Sequence, residues 1–258
     1  MIPPEILNSV LLKDNVKGCE LLPSESIDMV LTSPPYDDLR DYGGHSWDFE
    51  GIAAELERVV KPGGVIVWVV GDSTKDGSET GASFRQALGF MELGLRLHDT
   101  MIYSTNKPPM VGSRYQASFE FMFVISKGAP KTFNPIKERS KWAGASTSST
   151  RYDKAGNLTG RRREVQDEKV KGNIWHYLSG ATSADSNPGH PAVFPSSLAK
   201  DHISSWTQPG DVVLDPFMGS GTTAEAAVEL SRDFVGFEIN PEYYELWKKR
   251  TAQGMLTL

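Results

Sequence analysis

The sequence predicts an α/β fold with a doubly wound, mostly parallel sheet. Short runs rich in β-branched residues alternate with amphipathic stretches of helical period. A Gly219-x-Gly221 turn follows one such run directly and opens one such stretch. The chain of 258 residues can hold one large α/β domain or two smaller ones, and no apolar run in it approaches the roughly 20 residues of a membrane span.

The elements follow in order. SVLL (9–12) is a strand, and KGCELL (17–22) reads as the face of a short helix, which makes Cys19 structural. IDMVL (27–31) is a second strand, and it runs into Ser33-Pro34-Pro35-Tyr36. FEGIAAELERVV (49–60) is a helix ended by Lys61-Pro62-Gly63-Gly64, which turns the chain into the strand VIVWVV (65–70). SFRQALGFMELG (83–94) is a helix with apolar residues that could be core or a face for a second copy of the chain, a homodimer. SFEFMFVI (118–125), DVVLD (211–215) and DFVGFEI (233–239) are strands, while FPSSLAKDHISSW (194–206) and TAEAAVELS (223–231) are helices. There is no internal repeat.

One segment breaks the pattern. Residues 131–171 hold few apolar side chains, a Ser/Thr run and the triplet Arg161, Arg162, Arg163. A connection that long is functional or disordered, since most are about 4–6 residues. Residues 131–172 carry eleven Lys and Arg against five Asp and Glu, a net of +6 in a chain whose total is −6, so the remainder stands at −12. The bland reading is a solvated loop; the sharper one is a local surface for polyanions on an acidic protein. The division expected is 1–130, a basic insert at 131–173, and 174–258.

Two loops carry chemistry. Adjacent prolines end a strand rigidly, because neither has an N–H and each confines the residue before it to extended backbone. Alone, Pro34-Pro35 is a strand stop. Gly219-x-Gly221 between strand and helix lets backbone approach a ligand and points helix N–H groups at it. The loop has no lysine, unlike a triphosphate cradle, and Glu238 lies nineteen residues beyond Gly219, where an acid takes ribose hydroxyls. One cysteine rules out a disulfide framework and a multi-cysteine zinc site, and the five histidines show no ligand spacing, so no metal is expected. The first residues lack a basic and apolar leader, and the expected location is cytoplasmic.

Together, TSPPY (32–36), DPFMGSGTT (215–223) and GFEIN (236–240) resemble the S-adenosylmethionine-dependent DNA amino-methyltransferases, which methylate N4 of cytosine or N6 of adenine. The catalytic loop precedes the cofactor loop, an order similar to the family's β class, so the resemblance implies a circularly permuted class I methyltransferase fold with a target-recognition insert. It covers the chain outside 131–172. It implies a catalytic loop of Ser33, Pro34, Pro35 and Tyr36, and a cofactor site of Thr32, Asp215, Pro216, Phe217, Gly219, Ser220, Gly221, Thr222 and Glu238. Asp14 stands where the family has an acid at the adenine ring, although the usual preceding glycine is Lys13 here. HPAVFPSSL (190–198) resembles the segment that lines the methionine end, with Phe194 and Pro195.

On that reading Ser33 and the Pro34 carbonyl accept the amino hydrogens of a flipped base, and Tyr36 offers its π-face. A serine first in the loop is typical of cytosine-N4 members and tilts the reading to cytosine over adenine-N6. Cys19, outside any Pro-Cys loop, is unlike the nucleophile of carbon-5 methylation. Double-stranded DNA is the expected partner, contacted by Arg40, Lys137, Arg139, Lys141, Arg151, Arg161, Arg162 and Arg163, with a separate restriction endonuclease as companion. Trp142, Tyr152 and Trp175 would stack on bases or simply pack. The rival readings are an RNA base as substrate and a non-catalytic cofactor-binding module.

Overall fold

A computed structural model describes residues 1–35, 47–105, 115–148, 152–157, 160, 162–177 and 195–252. The elements are β1 Ser9–Leu12, α1 Asn15–Cys19, β2 Ile27–Thr32, α2 Phe49–Val59, β3 Val60–Val70, β4 Thr74–Lys75, β5 Ser78–Glu79, α3 Ala82–Glu92, β6 Arg96–Ser104 and β7 Phe119–Ser126. They continue with β8 Lys137–Arg139, β9 Ser146–Ser148, β10 Arg162–Glu164, β11 Glu168–Val170, β12 Ile174–His176, α4 Ser196–Trp206, β13 Val212–Asp215, α5 Thr222–Glu229, β14 Asp233–Glu238 and α6 Pro241–Ala252.

Eight strands form the main sheet in the order β1-β14-β13-β2-β3-β7-β6-β12. All neighbours are parallel except at β7, which runs antiparallel to β3 and β6. The sheet is the doubly wound, mostly parallel one read from the sequence. Helices α1, α2 and α3 cover one face through Cys19, Ile52, Leu56, Val59 and Phe90, packed on Val30, Ile66, Trp68 and Phe237. Helix α2 spaces its buried residues at helical period, Ile52, Ala53, Leu56 and Val59, and each large one stabilises the fold by about 1.5–3 kcal/mol. Helices α4 and α5 pack together and against β2, β3, β13 and β14. Gly18 lets α1 approach the sheet: a Cβ there would stand 2.5 Å from the Phe237 ring.

Lys61-Pro62-Gly63-Gly64 is not a turn ahead of β3 but a bulge within it. Ile27 pairs with Val60 and Met29 already pairs with Val65, so the four residues bow out of the ladder. Gly63 takes φ +81°, and Gly64 has β2 too close for a Cβ, with Asp28 O at 2.8 Å. Asp28 staples the region, accepting from Lys61 Nζ at 2.6 Å and from Val212 N at 2.9 Å.

Helix α3 exposes Phe84, Leu88 and Met91 on one stripe. No helix among the described residues is long and apolar enough to cross a membrane.

Residues Pro135–Gly172 form a separate compact unit. It contains two small antiparallel ribbons, β8 with β11 and β9 with β10. Residues 131–134, read from the sequence as the start of the insert, instead belong to the main unit. Lys131 N donates to Gly63 O at 2.9 Å, Asn134 N to Ser205 O at 2.8 Å, and Phe133 stacks on Trp206 at 5.0 Å.

Candidate functional site

The parallel strands end on one edge, and the sequence motifs sit at those ends. From β13 the chain passes through α5 to β14 on one side; from β2 it passes through α2 to β3 on the other. Adjacent strands β13 and β2 are therefore the topological switch point, where an open α/β sheet leaves a crevice for a ligand. Asp215 ends β13 and Thr32 ends β2.

The glycine loop is held from both sides. Gly219 takes φ +54° and Gly221 φ +91°. Glu238 Oε2 accepts from Gly219 N at 2.7 Å, Glu238 Oε1 accepts from Asn240 N at 2.7 Å, and Met218 N donates to Phe237 O at 2.9 Å. Burial pushes the Glu238 carboxyl upward and the Asp215 charge adds to this, while the Asn240 and Gly219 N–H groups oppose it. Each Glu238 oxygen keeps a further lone pair, so the residue can still accept hydroxyl donors. No side chain caps α5, which leaves its N-terminal dipole for an anionic group. Ser220 and Thr222 are buried at this turn.

Asp215 lies at the centre, fully buried. Its Oδ1 accepts from Thr32 Oγ1 at 2.6 Å and from Phe217 N at 3.0 Å, and its Oδ2 accepts from Thr223 Oγ1 at 2.6 Å. Burial raises its pKa from 3.8 to about 6, with the Thr223 and Thr32 hydroxyls and the Phe217 N–H holding it down against that cost. Both side chains named for the cofactor at this point, Thr32 and Asp215, are thus turned to each other. Phe217, likewise, puts its ring against Trp47 at 5.4 Å and Trp68 at 6.3 Å, so it anchors the loop after Pro216 in the aromatic core.

Ser33, Pro34 and Pro35 follow β2 with Ser33 and Pro35 half-buried. Asp14 caps α1, its Oδ1 accepting from Lys17 N at 3.1 Å. It stands beside Glu238, because Leu12 pairs with Glu238 and Lys13 N donates to Glu238 O at 2.8 Å. Pro195 precedes α4, and its carbonyl accepts from Leu198 N and Ala199 N, so this helix starts two residues later than the apolar pattern indicated. Tyr36, Arg40, Arg151, Arg161 and Phe194 lie outside the described residues.

In the separate unit, part of the positive charge is already paired. Lys137 Nζ lies 3.7 Å from Glu168 and Lys169 Nζ 2.9 Å from Glu138, across the β8–β11 ribbon. Lys141 rests over the Trp142 ring at 5.5 Å, and Trp142, Tyr152, Arg139 and Arg163 are exposed. The ribbon β9–β10 pairs Arg162 with Ser148 and Arg163 with Thr147. Trp175 belongs with the packing residues: it is buried at the sheet edge, 4.7 Å from the His202 ring.

Sequence reasoning missed Thr223, Asn240 and Trp247. The first two are the last residues of quoted motifs, and their polar side chain or backbone N–H beside an acid was a usable signal. Trp247 had none, since α6 mixes charged and aromatic residues without a clear apolar period, yet its ring is buried next to Gly221. Burial pushes the Cys19 thiol upward, with Glu55 next in effect, which suits a structural residue and no nucleophile. Among the described residues no group of His, Cys, Asp or Glu could hold a metal ion.

The arrangement matches known proteins along almost its whole length. The profile of the DNA methylase family N6_N4_Mtase matches residues 27–249. The orphan methyltransferase M.BamHII of Bacillus amyloliquefaciens is 45% identical over 257 residues, covering 93% of this chain and 91% of that one. The PvuII DNA methyltransferase (cytosine-N4-specific) superposes with a TM-score of 0.68 at 22% identity over 94% of this chain and 85% of its own. The TTHA0409 protein of Thermus thermophilus in complex with S-adenosyl-L-methionine gives 0.65 at 23% identity over 96% and 95%. With this fold, a proline-stiffened loop and a glycine loop at one switch point, and a family match over most of its length, the chain belongs to the DNA methylase family of N6 and N4 DNA methyltransferases.

Proposed function

We propose that the protein transfers a methyl group from S-adenosyl-L-methionine to the exocyclic N4 of a cytosine swung out of double-stranded DNA. The observation that carries the choice of base is Ser33, first in the proline loop at the switch point. Adenine N6 is the second reading, because the family takes in both.

The donor set fits the cofactor. Glu238 takes ribose hydroxyls, Asp14 beside it takes the adenine amine, and the uncapped start of α5 with Gly219, Ser220, Gly221 and Thr222 receives the methionine carboxylate. Phe194 and Pro195 are the residues proposed for the methionine end. S-adenosyl-L-methionine supplies an electrophilic methyl on a sulfonium centre. The exocyclic amine is a weak nucleophile because its lone pair is delocalised into the ring. Ser33 and the Pro34 carbonyl hold its two hydrogens and favour the pyramidal nitrogen, while Pro35 keeps the loop stiff and Tyr36 stacks on the base. Transfer of that methyl would leave a surplus proton on the amino nitrogen, which the Ser33 hydroxyl would relay to solvent water. The chain needs no covalent intermediate for this, in keeping with the buried Cys19.

The decisive test is to incubate the protein and cofactor with unmethylated DNA and identify the methylated nucleoside by mass spectrometry. N4-methylcytosine is expected. N6-methyladenine would keep the site and overturn the reading of Ser33, and no product with cofactor still bound would point to RNA or to a non-catalytic module.

Unit 135–172 is proposed to carry target recognition, with Arg139, Lys141, Arg151, Arg161, Arg162 and Arg163 on phosphates and base edges, Arg40 joining from the catalytic side, and Lys137 contributing less because Glu168 pairs with it. Neutralising Arg161, Arg162 and Arg163 together is expected to weaken DNA binding and to lower the log–log salt slope by about 0.9 for each phosphate that is no longer neutralised. A slope unchanged from wild type would remove the triplet from the interface. A cytoplasmic enzyme is proposed with DNA as its substrate, and the exposed stripe of α3 is the face offered for a homodimer.

A further inference from the structure

Asp215 has a feature that binding a cofactor does not explain. It is a fully buried carboxylate with no ion-pair partner among the described residues, and three donors from three different segments converge on it. Such a group is costly to keep unless its acceptors are needed. One donor, the Thr32 hydroxyl, is the last residue of β2 and is itself fully buried. The other two, Thr223 Oγ1 and Phe217 N, belong to the start of α5 and to the glycine loop.

Beyond Thr32 the backbone has little freedom. Pro34 and Pro35 fix their own φ angles, and Pro34 confines Ser33 to extended backbone. The orientation of Thr32 therefore passes to the Ser33 hydroxyl and the Pro34 carbonyl almost undiluted. A valine would fill the same buried volume at the end of β2, so the strand does not need the hydroxyl for packing.

Resting on the functional reading above, we propose that Thr32 is a positioning residue: its hydrogen bond to Asp215 sets the catalytic loop against the cofactor loop, so that the rate of methyl transfer depends on it more than cofactor affinity does. The two hydroxyls on this one carboxylate then have separable jobs. Thr32 aligns the amine-holding loop, and Thr223 secures the loop that receives the cofactor.

The experiment compares Thr32→Val, Thr32→Ser and Thr223→Val with wild type, each checked for folding by thermal melting. S-adenosyl-L-methionine affinity is read by calorimetry, and methyl transfer by single turnover on DNA at saturating cofactor. Thr32→Val is expected to bind cofactor within about threefold of wild type and to transfer methyl at least about tenfold more slowly, the loss anticipated for a misaligned reacting pair. Thr32→Ser restores the hydroxyl and should recover most of the rate. Thr223→Val removes an equivalent buried hydrogen bond and should show the opposite split, with affinity falling more than the saturated rate. Equal splits in the two valine variants, or a normal rate in Thr32→Val, would overturn the bridge while leaving the methyltransferase reading intact. A wild-type protein that binds cofactor and methylates no base removes both.

Discussion

Replacing Gly221 with valine is expected to abolish calorimetric binding of S-adenosyl-L-methionine and to destabilise the fold by several kcal/mol. Two independent costs act at this residue. Its φ of +91° lies where side-chain-bearing residues are strained by about 1–3 kcal/mol, and a β-branched side chain suffers most. A Cβ would also stand 2.5 Å from Trp247 Cε3 and 3.0 Å from Cζ3. Trp247 is buried and packs edge-on to Phe234 at 5.6 Å, so the ring has little room to yield and overpacking adds about 1–3 kcal/mol. Because Gly221 immediately precedes α5, the displaced backbone is the one that presents the first N–H groups of the helix. Gly77 provides the control. It has a similar φ, +77°, in the exposed β4–β5 hairpin, and a Cβ there would meet nothing within 4 Å. Gly77→Ala should cost only about 1 kcal/mol and leave cofactor binding unchanged. Urea titration and calorimetry on both variants check this, and retained binding in Gly221→Val would remove the loop from the cofactor site.

The same residue shows what the sequence could and could not disclose. The glycine spacing identified the loop, but the atom Gly221 makes room for is an indole carbon from α6, a helix of mixed charged and aromatic residues in which one large buried ring carries no periodic signal. The six strands read from β-branched runs are present, as are the four amphipathic helices, because burying one face demands a visible period. Strand β6 was not read: it alternates exposed and half-buried residues along Arg96 to Thr100, so charge hides the apolar side. The short ribbons of 135–172 escaped for a similar reason. Residues of β8 and β11 are exposed on both sides, so Lys137, Glu138 and Arg139 offer no alternation to detect. At the site, motif spacing picked out segments that the sheet brings to adjacent strand ends. Thr32 and Asp215 end β2 and β13 and Phe217 follows, but their side chains turn inward to each other and to Trp47, which only the crossing of distant segments determines.

That inward turn gives Asp215 opposite pH signs for stability and for catalysis. Its folded pKa of about 6 lies above the unfolded value near 3.8. The stability contributed by its protonation is therefore fully present below pH 3.8, fades as pH rises, and is lost once pH passes about 6. That difference corresponds to about 3 kcal/mol, an order-of-magnitude figure. Catalysis runs the other way. The ionised carboxylate accepts from Thr32, Thr223 and Phe217 together; a proton on Oδ1 competes with Thr32 and Phe217 there, and any proton it gains forces a threonine hydroxyl to accept where it had donated, which re-makes the contact between the loops. The saturated rate is expected to fall about tenfold for each pH unit below about 6. Glu238, whose carboxyl feels the Asp215 charge, is also pushed upward, but the role proposed for it is in cofactor affinity, so measuring kcat at saturating cofactor separates the two. In Asp215→Asn the acid limb of kcat should disappear from an already lowered rate, and urea midpoints should lose the part of their decline between about pH 4 and 6 that wild type owes to this group. An acid limb that survives unchanged in Asp215→Asn would assign the titration elsewhere. The enzyme on this account keeps at its switch point a carboxylate that the folded state would rather protonate, because the ionised form is the one that holds the two loops in register.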